Sequence, residues 1–295
     1  MPHKRFTIAV ITDEYEDAHG ALSCNPFEIG DGIVIARTPD FLKHGEVVRD
    51  LGWPIKDCVE QAKFAFIKEY EADGLGAEHD EALSHIRDCN LALWIAQPSR
   101  IGFRYEVNLL FVESDEPFRQ HIGLCEPMLC SPSDACNSLT IDDLLKAKDM
   151  YKNMPQEGSV RTAILALARA LTESNWATRY LVLWIGLEAL FGPDDAREMT
   201  HRIAERIAMF NGSGLPGADR KTIYRQVKDC YGWRSKIVHG LKLGSLTPQK
   251  SGELRDTSER FIRDALTHIL LDPAILTEIN GSRREQYLDE LVFGV

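Results

Sequence analysis

The 295-residue chain has no apolar run approaching the ~18 residues that a bilayer-spanning helix requires. A helical membrane protein is therefore not expected. It has no Cys-x-x-Cys pair, and its seven cysteines are scattered and odd in number. That pattern does not make a disulfide framework, and the thiols are expected to be reduced and packed as small apolar groups. His121, Cys125, Cys130 and Cys136 fall close together, but their spacing matches no common zinc pattern, so no metal site and no cofactor are expected. Internal repeats and low-complexity tracts are absent. Residues 1–138 contain no phosphate-binding glycine loop, nucleophile elbow or paired metal motif. Gly74-Leu75-Gly76 is too short for a nucleotide fingerprint and reads as a turn.

Positive charge is also scarce. The net charge of -11 argues against a protein that coats nucleic acid. Its distribution is uneven. Residues 1–138 hold 12 Lys/Arg against 24 Asp/Glu, and residues 139–295 hold 22 against 21. The one locally basic stretch is 195–242, with 10 Lys/Arg against 5 Asp/Glu. The shift predicts two domains, 1–138 and 139–295. Met1 to Ile11 is basic and then briefly apolar, lacks a small-residue cleavage site, and runs into acidic residues. It predicts a strand rather than a signal peptide, and hence a cytoplasmic location.

The first half reads as mixed α and β. Phe6 to Ile11 and Gly32 to Arg37 are short β-branched runs. Val59, Ala62, Phe66 and Tyr70 recur at helical spacing and predict a helix over 55–72. Leu91 to Ala96 reads as a buried strand. Phe103, Tyr105, Val107, Leu109 and Phe111 alternate with Arg104, Glu106 and Asn108, the clearest strand signal in the chain. Pro98-Ser99 would then turn between two adjacent strands. Residues 114–138, rich in proline and cysteine, predict the domain boundary.

From Thr140 onward the chain reads as helices, so the fold class is α+β. Thr140 is placed to cap a helix that opens with Asp142 and Asp143. Further helices are predicted over 159–172, 178–191, 195–210, 220–239 and 252–271, with a short pair after Pro273. The 178–191 segment is apolar almost all round and should be central. In 195–210, Ile203, Ile207 and Phe210 should face inward and Arg202 and Arg206 outward.

Two residues break the apolar pattern. On helix 220–238, Ile223, Val227, Cys230, Ile237 and Val238 form a stripe, with Arg234 in its middle. A guanidinium cannot lose its proton, so burying it requires a partner. Glu188 stands on the same side as Leu181, Trp184 and Ile185 of the central helix. An Arg234–Glu188 ion pair across the bundle resolves both oddities. His239 shares a side with Ser235 and Tyr231 and lies in the last turn, where the helix dipole favours a protonated ring. A permanent cation and a group that titrates near neutrality suit phosphate chemistry. The same residues would serve equally to lock two helices and to cap carbonyls.

The string Tyr231-Gly232-Trp233-Arg234-Ser235-Lys236-Ile237-Val238-His239-Gly240 is similar to the signature of HEPN domains. Tyr180 to Gly192, with Leu187-Glu188-Ala189-Leu190-Phe191, resembles the preceding helix of their ApeA-like branch. The resemblance covers roughly 140–271. It implies a helical bundle that pairs as a homodimer and brings two Arg/His motifs to one cleft. It implies a metal-independent endoribonuclease of the kind found in toxins, CRISPR effectors and anti-phage systems, with RNA as substrate, tRNA or another structured RNA included. Attack by the 2′-hydroxyl would leave a 2′,3′-cyclic end. Arg234 and His239 would be the catalytic pair and Ser235 an accessory polar residue. Tyr231 and Lys236 complete the accessory set, and Glu188 is our own assignment as the group that orients Arg234. Other HEPN members do not cleave RNA and act as scaffolds or toxin partners, which is the alternative. The first half resembles nothing nameable. A sensor of a phage-derived or cellular activator, an inhibitor of the nuclease, and an assembly domain all remain open for it.

Overall fold

The computed structural model describes residues 3–12, 26–43, 52–72, 77–98, 102–111, 118–124, 139–195, 198–240 and 246–294. Cys125, Cys130, Cys136 and the Gly74–Gly76 turn lie outside them. The fold is α+β, and the chain divides into two compact units, Met1–Lys152 and Asn153–Val295.

The first unit is built on a six-stranded antiparallel sheet. Its strands are β1 (His3–Thr12), β2 (Phe27–Gly30), β3 (Ile33–Arg37), β4 (Phe64–Ala72), β5 (Gly102–Phe111) and β6 (Phe118–Leu124), in the spatial order β2-β3-β4-β1-β5-β6. Asp31 and Gly32, both at positive φ (49° and 69°), close the β2–β3 hairpin in two residues. That backbone twist matches the flanking strands. Helix α1 (Trp53–Gln61) joins β3 to β4, and α2 (Ala77–Ala96) joins β4 to β5. Ile8, Ala65, Val107 and Leu109 pack with Val59 and Ala62 on one face of the sheet. Helix α2 lies against β1 and β4. Helix α3 (Ile141–Lys152) packs on α2 and β2, and Tyr151 Oη donates to Asp31 Oδ2 at 2.6 Å.

These elements correct several expectations. The helix over 55–72 ends at Gln61, where Ala62 turns extended, and the rest of the segment is β4. In β4 both Phe66 and Ala65 are buried, one on each face, so apolar residues do not alternate with polar ones there. Leu91–Ala96 is the last part of α2 rather than a strand. It is buried all round, and a short continuous apolar run has no period to distinguish the two states. Only the second of the two strands expected over 91–113 forms, as β5. A strand, β6, occupies part of the stretch read as a boundary. The division between units comes after Lys152, because α3 joins the sheet unit and not the bundle.

The second unit is helical: α4 (Gly158–Thr172), α5 (Trp176–Phe191), α6 (Met199–Asn211), α7 (Gly217–Val238), α8 (Pro248–Leu271), α9 (Pro273–Asn280) and α10 (Arg284–Phe293). Asn175 caps α5 by accepting from Thr178 N at 3.0 Å. In the first unit Thr140 and Asp143 cap α3 reciprocally, Thr140 N donating to Asp143 Oδ2 and Asp143 N to Thr140 Oγ1. Leu183, Trp184, Leu187, Leu190 and Phe191 make α5 the central helix, each fully buried. Leu254, Phe261, Ile262, Ala265, Leu266 and Ile269 turn inward on α8, as the sequence predicts. Arg206 does not face outward. It is 1% exposed and donates to both oxygens of Glu285 (3.0 and 2.8 Å) and to Asp289 (2.6 Å), while Arg202 reaches Glu285 at 2.6 Å. Lying three residues after Ile203 and four before Phe210, Arg206 belongs to their stripe, and α10 supplies its partners. No helix among the described residues is long and apolar enough to cross a membrane.

Candidate functional site

The site predicted from the sequence is assembled by α5 and α7. An aromatic ladder sets their register. Trp176, Tyr180 and Trp184 recur every four residues on α5, with Trp176 stacked on Tyr180 at 5.3 Å between centroids. Trp184 meets Tyr231 of α7 edge to face at 5.2 Å, and Tyr180 Oη donates to the Cys230 carbonyl at 2.7 Å. Aromatic pairs in this geometry stabilise by about 0.5–1.5 kcal/mol beyond their burial. They fix Tyr231, and with it the next turn of α7.

That turn holds Arg234. Its Nη2 donates to Glu188 Oε2 at 2.9 Å and stands 2.9 Å from Oε1, so the expected ion pair is present. The guanidinium also lies over the Tyr231 ring, 5.5 Å from its centroid. The expectation of burial needs correction: each side chain of the pair keeps 25% exposure. The inward stripe of α7 runs through Val227, Cys230, Tyr231 and Trp233, while Ile237 is half-buried and Val238 is 49% exposed. The stripe is thus rotated away from the C-terminal end of the helix, because the aromatic contacts to α5 draw Tyr231 inward. This rotation leaves Arg234 at the rim. Burial pushes the Glu188 carboxyl above its ordinary pKa, and the Arg234 charge and hydrogen bonds from Arg234 and Tyr231 act the other way.

His239 closes α7. Its backbone N–H returns to the Ser235 carbonyl at 3.1 Å, and Gly240, at φ 61°, ends the helix in the left-handed conformation. The His239 side chain is exposed and makes no hydrogen bond among the described residues. Ser235 is half-buried. Lys236 is exposed, with Nζ 4.0 Å from the centroid of Trp233. The structure therefore joins Glu188, Arg234 and Tyr231 into one contact set. It places His239, Ser235 and Lys236 on the same helix end without a bond between His239 and Arg234. The geometry offers an oriented guanidinium with spare donors, and one turn onward an imidazole facing solvent.

Sequence reasoning missed a second polar constellation, on the sheet face beneath α2. Thr7 of β1 is paired in register with Asn108 of β5, and Asn108 with His121 of β6. His79, near the start of α2, is 8% exposed and pushed below its ordinary pKa by burial above all. Glu106 and Asn108 lie on this face and are buried as well. The strong strand alternation of β5 was the available signal: its polar phase faces α2, not water. Comparison of the chain with protein-family models, with curated proteins and with solved structures returns no match.

Proposed function

We propose that the chain is a metal-independent endoribonuclease of the HEPN type, working in the cytoplasm as an effector of anti-phage defence or as a toxin. The observation that supports this most is the Arg234–Glu188 pair. Glu188 neutralises and aims a guanidinium that would otherwise be costly at a half-buried position. A bidentate planar cation held at a rim is suited to a phosphate.

In this reading the RNA's 2′-hydroxyl attacks the adjacent phosphorus, and the bond to the 5′-oxygen breaks. His239 takes the hydroxyl proton or supplies one to the leaving oxygen. Arg234 stabilises the charge that accumulates on the phosphoryl oxygens, and Ser235 can hydrogen-bond one of them. Tyr231 orients Arg234, and Lys236 adds positive charge to the approach. The products are a 2′,3′-cyclic phosphate and a 5′-hydroxyl, with no ion required. A homodimer through the helical unit would bring two such sets together. Ile185 and Val238, 54% and 49% exposed, support pairing here, since they sit one turn from Glu188 and Arg234 respectively.

The test is cleavage of single-stranded and structured RNA, tRNA included, by the full chain in EDTA. Cutting is expected with cyclic-phosphate ends and with DNA inert. His239→Ala and Arg234→Ala should each abolish it. Wild-type cutting by His239→Ala removes the catalytic assignment. No cutting of any RNA, with or without a phage-derived activator, leaves the non-catalytic scaffold as the reading.

A further inference from the structure

The polar constellation in the sheet unit is chemically of a different kind from the α5–α7 site. Ligand atoms of His79, Glu106 and His121 lie within 4.8 Å of one another. They come from the start of α2, from β5 and from β6, so no local motif in the sequence announces them. The rings of His79 and His121 stand edge to face, 5.9 Å between centroids. Glu106 and His79 are buried at 7% and 8%, and His121 is exposed.

We propose that His79, Glu106 and His121 bind a divalent transition-metal ion of the Zn2+ class, with at least one coordination position left open to solvent. Two imidazoles and one carboxylate suit such an ion; Mg2+ and Ca2+ prefer all-oxygen sites. Tetrahedral zinc bonds of ~2.0–2.1 Å require donor atoms somewhat closer than the present spacing. Rotation of the exposed His121 side chain would supply that movement.

Two further features are those of a built site. The first is the support of His79. Thr7 Oγ1 lies 2.9 Å and Asn108 Nδ2 3.1 Å from its Nδ1, and Tyr70 Oη accepts from Asn108 at 2.7 Å. Nδ1 faces this shell, so Nε2 is the nitrogen left for an ion in the tautomer that carries its proton on Nδ1. When Nδ1 carries the proton, Thr7 Oγ1 accepts it, and Nε2 is the bare, ligating atom. Asn108 Oδ1 is buried with no hydrogen-bond partner among the described residues, and reversing that amide would add a carbonyl acceptor for the same proton. Outer-shell acceptors of this kind fix the tautomer of metal-binding histidines. The second is the room made for the carboxylate. Gly123 is the register partner of Glu106, and a Cβ built there would stand 2.9 Å from Glu106 Cγ and closer still to Oε1. A side chain at position 123 would push Glu106 aside, and glycine leaves it the room to lie across β6.

The ion would tie the edge strand β6 and the start of α2 to β5. This inference does not depend on the ribonuclease reading, and its readout is metal content rather than cleavage. The full chain, purified without a histidine tag and stripped with chelator, is titrated with Zn2+ and separately with Co2+. One equivalent of Zn2+ per chain is expected by calorimetry and elemental analysis, and Co2+ should develop visible ligand-field bands. His121→Ala alters an exposed side chain, and Glu106→Gln keeps the buried volume. Each should weaken Zn2+ binding beyond the ~100-fold that loss of an outer-shell partner costs. Circular dichroism checks that both variants fold, and His201→Ala, in the helical unit, should bind as wild type does. Absence of stoichiometric binding, or wild-type affinity in folded His121→Ala and Glu106→Gln, overturns the site.

Discussion

Arg234 reaches across from α7 to straddle the Glu188 carboxylate of α5, its Nη2 2.9 Å from each oxygen, with both side chains one-quarter exposed. The pair is therefore neither a surface salt bridge nor a buried one, and its energetics should fall between the two cases.

Replacing Glu188 by Ala strands a half-buried guanidinium. The expected loss is about 1–3 kcal/mol, between the ~1 kcal/mol of an exposed pair and the 3–5 kcal/mol of a buried one. Denaturant unfolding at neutral pH measures it. An unchanged midpoint would show that Arg234 is adequately solvated on its own. If Glu188 aims Arg234 at RNA, the same variant loses cleavage, and Glu188→Gln, which keeps the shape, recovers only part of it.

The pH dependence has a definite sign. Burial raises the Glu188 pKa in the folded state, so the folded chain holds this proton more tightly than the unfolded chain. The stabilising contribution is fully present below the ordinary carboxylate pKa and is lost as pH rises through the folded value. Wild type should therefore gain melting temperature relative to Glu188→Gln as pH falls from neutral into the weakly acidic range. A gap that moves in the opposite direction would mean that attraction to Arg234 outweighs burial.

Arg206 gives a prediction independent of any function. Its guanidinium is buried between Phe191 and the carboxylates of Glu285 and Asp289. Arg206→Ala leaves those carboxylates facing each other and should cost about 2–4 kcal/mol, toward the lower end because both are partly exposed. Arg202→Ala, which removes an outer member of the cluster, should cost less. Equal losses for the two variants would contradict the assignment of Arg206 as the central cation.

Pairing through the α5–α7 face is read from mass. Light scattering of the wild type should give about twice the 33.3 kDa chain mass. Ile185→Glu puts a charge on an exposed apolar position of α5 and should give a monomer with an unchanged melting temperature. A wild type that stays monomeric at micromolar concentration, with and without RNA, rules out a composite site.

The sequence by itself determined what is encoded within one element or by one chemical necessity. Helical periods and caps located α3 through α10, since Thr140 and Gly240 act on their own turns. It also named the Arg234–Glu188 pair, because a permanent charge in an apolar stripe demands a counter-charge on the facing helix. Only the tertiary structure decided matters that depend on a distant partner. Phe64–Ala72 became a strand because β1 and β3 flank it on both sides, and Leu91–Ala96 stayed helical because α2 is covered by the sheet and α3. Arg206 turned inward because α10, almost 80 residues later, brings two carboxylates to it. Glu106 and His121 are brought together by the β5–β6 register and His79 by the packing of α2 on the sheet, and both are pairings between segments that no single segment specifies.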